Sequence, residues 1–206
     1  MKPRIERLLQ RLMDLGERLF SVILFAFMIA RNAPTLVQRP YNIVALISEG
    51  LVVYFILFRR RPRDVTTHPV GWLVALAATG LPMLVVGSGA PIASATVGVM
   101  ITIWGLLFGI WTKLTLGRSF GIAAANRGIV DKGPYAMVRH PMYASYLLVH
   151  IGFLLLNPNW WNAAIYASVW CFQFARIMIE EQLLSQDPVY VAYATKVKYR
   201  LVSPVY

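Results

Sequence analysis

Residues 142–179 read MYASYLLVHIGFLLLNPNWWNAAIYASVWCFQFARIMI, which is two apolar runs joined by the turn Asn157-Pro158-Asn159. Runs that are apolar on every face are typical of helices that lie in a membrane or in a deep core. A connection of this length makes two helices antiparallel neighbours. The sequence therefore predicts a helical hairpin, in which the polar residues before the first helix lie beside those after the second.

Composition places this hairpin in an integral membrane protein. Of the 206 residues, 58% are hydrophobic and only 14% are charged, whereas soluble domains carry roughly 25% charged residues. Further apolar segments precede the hairpin at residues 19–37, 41–58, 70–86 and 91–111. Together with 142–156 and 160–179, they predict an all-α membrane protein of about six (five to six) transmembrane helices, because roughly 20 apolar residues cross a bilayer.

The remaining segments do not form a second domain. Residues 1–18 alternate basic and apolar positions, a pattern typical of a helix in the membrane interface. Residues 180–206 are polar again and predict a surface helix. We therefore expect one domain, 1–206, whose portion 113–206 carries the motifs.

The basic residues predict the orientation of the chain. Eighteen of the twenty Lys and Arg residues fall on one side of six spans, and only Arg31 and Arg39 fall on the other. The positive-inside rule then places both termini in the cytoplasm. The net charge of +11 suits anionic lipids and not nucleic acid, because the basic residues flank apolar segments. This pattern, with no cleavable signal, indicates a prokaryotic cytoplasmic (inner) membrane.

The polar chemistry is concentrated in residues 127–143, RGIVDKGPYAMVRHPMY, and at the end of the hairpin. His140 opens the first hairpin helix, and Arg176 with Glu180 closes the second, so the two clusters are expected to form one cytoplasmic pocket. Its cations, its carboxylates and the Tyr135 ring suit a small molecule of mixed charge with an aromatic part. The sequence shows no nucleophile with an oriented base and no phosphate-binding glycine loop, which argues against hydrolysis and phosphoryl transfer.

Metal and disulfide chemistry are not predicted. Cys171 is the single cysteine, and the three histidines are scattered along the chain. These residues give neither a disulfide pair nor the ligand spacing of a metal site.

The ordered motifs at 127–135, 139–143, 157–158 and 176–181 resemble the isoprenylcysteine carboxyl methyltransferase family. The related phospholipid N-methyltransferases share the same C-terminal signature. The resemblance covers roughly residues 113–206. It implies an integral membrane methyltransferase that binds S-adenosylmethionine on the cytosolic side, with a lipid or lipid-tailed acceptor entering from the bilayer.

The resemblance also implies roles for individual residues. Those implied to bind the cofactor are Arg127, Gly128, Ile129, Val130, Tyr135, Arg139, His140, Pro141, Met142, Tyr143, Glu180 and Glu181. Within this set, Tyr135 would contact the nucleoside and Glu180 the polar groups of the cofactor. The implied catalytic residues are Arg176, which would face the acceptor, together with His140 and Glu181.

Direct in-line displacement at the activated methyl group fits such a site, because the protein must mainly align donor and acceptor and exclude water. A carboxylate acceptor needs no base. An amine or thiol acceptor must lose a proton, for which His140, Tyr143 and Glu181 are the candidates. Alternatives stay open: a phospholipid N-methyltransferase or thiol methyltransferase of the same fold, or, from another class, a non-catalytic membrane scaffold or small transporter.

Structural explanations compete with several of these assignments. Arg139 and His140 could be a basic cap at the membrane surface, and Arg176 with Glu180 could be an ordinary helix pair. Glu49 is an acid inside an apolar segment, for which function and a structural hydrogen bond are both open. His150 is expected to be a packed, hydrogen-bonded residue.

Overall fold

The chain folds into seven α-helices and one two-stranded sheet across the residues that the structure, a computed structural model, describes. These are residues 4–37, 42–60, 64–65, 68–92, 94–202 and 204, with side chains described from residue 12 onward in the first helix. The elements are α1 (Arg4–Asn32), α2 (Asn42–Phe58), β1 (Asp64–Val65), α3 (Pro69–Gly80), α4 (Ala95–Leu116), β2 (Ala125–Asn126), α5 (Pro141–Leu156), α6 (Trp160–Leu184) and α7 (Pro188–Lys196).

Helices α1 to α6 alternate in direction between two ends of the molecule. At one end, here called the basic end, Arg18 and Arg118 donate hydrogen bonds to the last carbonyls of α2, those of Leu57 and Phe58. At the opposite end, here called the asparagine end, Asn162 donates to Val86 O at 2.8 Å and Asn159 donates to Ser88 O at 3.2 Å. Side chains therefore bond the exposed carbonyls near both ends of the helical bundle.

Helix α4 packs closely on α5 because both helices present small residues at the contact. A Cβ atom added to Gly105 would lie 2.9 Å from the backbone nitrogen of Val149. One added to Gly152 would lie 2.8 Å from the backbone nitrogen of Thr102. Small residues let two helix backbones approach to this distance, which increases the van der Waals contact between them.

The predicted segment boundaries are partly wrong. Residues 1–18 and 19–37 do not form separate elements, since α1 continues without a break to Asn32 and a 3₁₀ turn, Ala33–Thr35, follows it. The segment 70–86 is helical only to Gly80, and Pro82, which lacks an N–H, lies in the 3₁₀ turn Leu81–Leu84.

The fourth and sixth segments also differ from their predicted limits. Helix α4 begins at Ala95, not at residue 91, because Ser94 caps it by accepting from Val97 N. It ends before Gly117, whose φ of 53° is left-handed. Helix α6 extends beyond the predicted end to Leu184, and the predicted surface helix is α7.

One helix, Ala95–Ser119 with its 3₁₀ extension, is long and apolar enough by length and composition to cross a membrane among the described residues. Three shorter apolar helices of 10 to 17 residues accompany it, Asn42–Phe58, Pro69–Leu84 and Pro141–Leu156. The expectation of six spans stays a prediction. Tyr41 and Arg39, which entered that expectation, lie outside the described residues.

The small sheet was not predicted from the sequence. Asp64 pairs with Asn126 and Val65 with Ala125 in antiparallel register, so the loop after α2 is attached to the loop that precedes α5. Beside this pair, Arg60 N donates to Arg118 O at 2.7 Å. Two loops of the basic end are thereby fixed to each other by backbone hydrogen bonds.

We expect Gly105→Val to lower the stability of the protein by about 1–3 kcal/mol, because the new side chain would meet the backbone of α5. Thermal unfolding of the purified protein in detergent measures the change. Gly16→Ala is the matched control, since a Cβ at Gly16 meets nothing within 4 Å. Equal stability of the Gly105→Val protein and the wild type would contradict the close contact.

Candidate functional site

A cleft of about 850 Å³ opens at the basic end between the loop that follows α4, the start of α5, the end of α6 and α7. The structure brings most of the residues assigned to the site into its lining: Arg127, Gly128, Ile129, Val130, Tyr135, Arg139, His140, Met142, Tyr143, Arg176 and Glu180. Pro141 and Glu181 are the exceptions and lie outside the lining. The roles in binding and catalysis that were assigned to all of these residues remain predictions.

The start of α5 is fixed by local sequence and by a distant segment. Pro141 occupies the first helical position, where its missing N–H is no loss, and His140 is the residue before the helix. The backbone nitrogens of Arg139 and His140 donate to the carbonyls of Tyr199 and Arg200 at 2.9 and 2.8 Å. Residues 199–200, here called the C-terminal strap, therefore hold the backbone that leads into α5.

The carboxylate of Glu181 lies at the centre of a cationic cluster. Its Oε1 is 3.1 Å from His140 Nε2 and 3.3 Å from Arg139 Nε, and its Oε2 accepts from Arg200 Nε at 2.9 Å. Burial raises the pKa of Glu181, but hydrogen bonds from His140 and Arg200 outweigh it and lower the pKa to about 2. Glu181 thus joins α5, α6 and the C-terminal strap.

Glu180 lies on the open side of the same helix end. Its Oε1 accepts from the Tyr143 hydroxyl at 2.6 Å and lies 3.4 Å from Arg176 Nε. The Arg176 guanidinium lies over the Tyr143 ring, 5.3 Å from its centroid, and donates to Gly121 O at 3.4 Å. Arg176 and Glu180 form a helix pair, and both also line the cleft, so the structural explanation is confirmed and the functional one stays a prediction.

A buried carboxylate from α1 supports the opposite side of the cleft. Glu17, which is 1% exposed, accepts from the backbone nitrogens of Ile122 at 2.6 Å and Ala123 at 3.4 Å. It also accepts from Arg59 Nη1 at 2.6 Å, and Arg59 in turn contacts Asp14. This arrangement fixes the loop that carries Gly121 and Ala123 into the cleft.

Arg127 is buried in this loop, and its guanidinium packs where a side chain on Gly121 would lie. Burial, together with the nearby charge of Arg59, lowers the pKa of Arg127 to about 10. Within the described part of the chain, its Nε and the hydroxyl of Tyr135 have no hydrogen-bond partner. Unpaired buried polar groups of this kind are costly unless a ligand or water satisfies them.

Sequence reasoning missed several lining residues. Tyr146 lies one helical turn after Tyr143, a spacing that could have indicated it. Tyr190 and Tyr193 pack α7 onto the domain and also line the cleft. The Tyr193 hydroxyl donates to the backbone oxygen of Tyr135 at 2.7 Å. Neither Glu17 nor Arg59 carried a motif that could have revealed its role.

No group of three or more His, Cys, Asp or Glu side chains that could hold a metal ion is found among the described residues.

Glu17→Ala is expected to cost about 3–5 kcal/mol of stability, because it leaves Arg59 buried without its buried carboxylate partner. Glu17→Gln is expected to cost less, since an amide oxygen can still accept from Ile122 N. Asp14→Asn is the matched control, because the Asp14 side chain is 36% exposed and such a pair contributes little. Equal loss in all three variants, measured by chemical unfolding in detergent, would contradict this ranking.

The lowered pKa of Glu181 predicts acid sensitivity with a defined sign. Its pKa falls from 4.5 to about 2 on folding, so its contribution is complete above pH 4.5 and is lost as the pH falls toward 2. The unfolding temperature of the wild type should drop across this window. In Glu181→Gln the dependence should flatten from a lower starting stability, whereas Gln182→Ala, an exposed neighbour, should follow the wild type.

A protein-family model matches part of the sequence. The family model described as PEMT: Phospholipid methyltransferase matches residues 90–187, just under half of the chain. The matched segment contains α4, the loop of the cleft, α5 and α6. No curated protein matched the sequence.

Proposed function

We propose that the chain belongs to the phospholipid methyltransferase family, whose model matches residues 90–187, and that the cleft binds S-adenosylmethionine for methyl transfer to a lipophilic acceptor. Members of this family are membrane-associated methyltransferases and generally use this cofactor. The observation that carries the proposal is the meeting of Tyr143, Arg176 and Glu180 at one wall of the cleft. It joins the two polar clusters that the sequence holds about forty residues apart.

The residues of the cleft fit the cofactor in chemistry. Glu180 offers a carboxylate to a cationic group, and the unpaired hydroxyl of Tyr135 offers a hydrogen bond. S-adenosylmethionine supplies a methyl group on a sulfonium, which is already activated for displacement.

The protein's contribution to such a reaction is alignment and the exclusion of water. Glu180, which accepts a hydrogen bond from Tyr143, faces the cationic part of the cofactor. The buried guanidinium of Arg176 faces an anionic acceptor. In an amine or thiol reaction, the proton of the acceptor passes to His140, which Glu181 orients at 3.1 Å. The low pKa of Glu181 makes its carboxylate a weak base, so we assign it a positioning role.

We further propose that α1 to α6 cross a membrane. Each of these helices exposes large apolar side chains, among them Ile23, Ile47, Leu73, Trp104, Ile151 and Met178. A patch of this extent indicates contact with lipid. The 17 residues of α2 span about 25 Å, which a locally thinned bilayer accommodates.

The charge distribution orients these spans. The basic end, with the cleft, carries Arg18, Arg59, Arg118, Arg139 and Arg200, whereas at the asparagine end Arg31 and neutral amides bond the exposed carbonyls. The basic end, and therefore the cleft, faces the cytoplasm and its anionic lipids. A prokaryotic inner membrane is the location that the charge pattern favours.

Two acceptor classes have specific support. A carboxylate, as in the isoprenylcysteine methyltransferases, is favoured by the buried Arg176 at the wall of the cleft. An aminophospholipid is favoured by the family match.

Calorimetry in detergent tests the cofactor site. We expect S-adenosylmethionine to bind the wild type and Gln182→Ala alike, and to bind Glu180→Gln and His140→Ala about tenfold or more weakly, because each loses a polar contact of the cleft wall. Gln182 is an exposed neighbour of both glutamates on α6. Unchanged affinity in both site variants would reject the assignment.

Transfer of a labelled methyl group into total membrane lipid tests the reaction itself. We expect label in lipid from cells that carry the wild type and a strong reduction with Arg176→Ala. Label that resists alkaline hydrolysis indicates an N- or S-methyl product, whereas labile label indicates a methyl ester. Cofactor binding without any transfer would favour the scaffold alternative.

A further inference from the structure

A second cavity, of about 870 Å³, lies deeper in the helical bundle between α2, α4, α5 and α6. It shares Arg176 and Tyr146 with the first cleft, so these two side chains form the boundary between the spaces. Most of its wall is apolar, with Met83, Leu106 and Val149 among the lining residues. A molecule in this cavity would therefore present one end to the cofactor cleft at Arg176.

One polar group of the second cavity is satisfied within the protein. Lys113, which is 1% exposed, donates to the hydroxyl of Ser48 at 2.7 Å and to the backbone oxygen of the same residue at 3.0 Å. Its third contact is Glu49 Oε1 at 3.1 Å. Glu49 is thus balanced by a partner in α4, and this pair makes no demand for a charged ligand.

Two other polar side chains of the cavity are not satisfied. Gln173 is 2% exposed and His150 is 7% exposed, and across the described residues neither Gln173 Oε1 nor His150 Nδ1 has a hydrogen-bond partner. The His150 ring is packed as expected, stacked on Tyr166 with centroids 4.3 Å apart, and its Nδ1 is the ring nitrogen that has no partner among the described residues. A buried amide oxygen without a partner costs stability, and a ligand that donates a hydrogen bond to it would remove that cost.

The positions of these groups set the geometry of a ligand. Gln173 precedes Arg176 by three residues on α6, and His150 follows Tyr146 by four residues on α5. Each therefore lies one helical turn, about 5 Å, deeper than the residue at the boundary.

We propose that the second cavity holds the body of the methyl acceptor and selects acceptors that carry a hydroxyl or N–H group one helical turn from the reacting end. That group donates a hydrogen bond to Gln173 Oε1. The oxygen of the hydroxyl, or a neighbouring polar atom of the ligand, forms a second hydrogen bond with His150 Nδ1. The assignment of this ligand as the acceptor rests on the proposed methyl transfer. It narrows the substrate class from any lipophilic molecule to one whose apolar body is interrupted by a hydrogen-bond donor close to its head.

Binding of two probes that differ by one hydroxyl tests the proposal without requiring turnover. Hexadecanoic acid and 5-hydroxyhexadecanoic acid both present a carboxylate to Arg176, and only the second places a donor within reach of Gln173. Calorimetry on the full-length protein in detergent should show the hydroxylated probe binding about fivefold more tightly, the effect of one net hydrogen bond. Equal binding of the two probes, as expected of a cavity that is merely hydrated, would overturn the proposal.

Two variants test whether Gln173 causes the preference for the hydroxylated probe. Gln173→Leu should abolish it and should also raise the unfolding temperature, because an unpaired buried amide is replaced by an apolar group of similar size. Ser168→Ala, on an exposed face of the same helix, should keep the preference. A preference that survives in Gln173→Leu would contradict the assignment.

Cofactor affinity measured on the same samples separates this proposal from the proposed function. Unchanged S-adenosylmethionine binding in Gln173→Leu shows that the variant is folded and that the cavity acts independently of the cleft. If the wild type selects the hydroxylated probe but does not bind the cofactor, the methyl transfer is wrong and the cavity remains a lipid site. If it binds the cofactor without selecting the probe, the cavity proposal is wrong.

Discussion

The carboxylate of Glu181 joins three parts of the chain that are far apart in sequence. His140 at the start of α5, Arg139 before it and Arg200 in the C-terminal strap all converge on its two oxygens. A half-buried carboxylate is stabilised where cations and donors surround it. These contacts hold α5, α6 and the strap together at this wall of the cleft.

On the opposite side of the cleft, Glu17 accepts hydrogen bonds from the backbone nitrogen of Ile122 and from the guanidinium of Arg59. With both of these carboxylates engaged in structure, Glu180 is the acid of the cleft that faces the open space. Two neighbouring glutamates on α6 thus differ in their surroundings and in their proposed work. Glu181 holds the geometry of the cleft wall, and Glu180 is the carboxylate that we propose contacts the ligand.

Helix α5 packs closely on α4 and loosely on α6, and both cavities lie where it faces α6. Helix α5 lies closely against α4, where Gly105 and Gly152 remove the side chains that would separate the backbones. It makes fewer contacts with α6, its partner in the hairpin. Both cavities lie along α5 and α6, and Tyr146 and Arg176 separate them. The two helices of the hairpin that the sequence predicts thus line both cavities.

The sequence by itself determined the helices, the hairpin and the two polar clusters that meet at its end, because apolar runs, a short Asn-Pro-Asn turn and antiparallel geometry are local properties of the chain. Only the tertiary structure decided that Lys113 pairs with Glu49 and that Glu17 accepts hydrogen bonds from the cleft loop. It also decided that the C-terminal strap bonds the start of α5 and that Gln173 Oε1 is left without a partner. These contacts join residues up to about one hundred positions apart. They depend on how far each helix is rotated and shifted against its neighbours, which is set by packing at glycine contacts and by the need to neutralise buried charge.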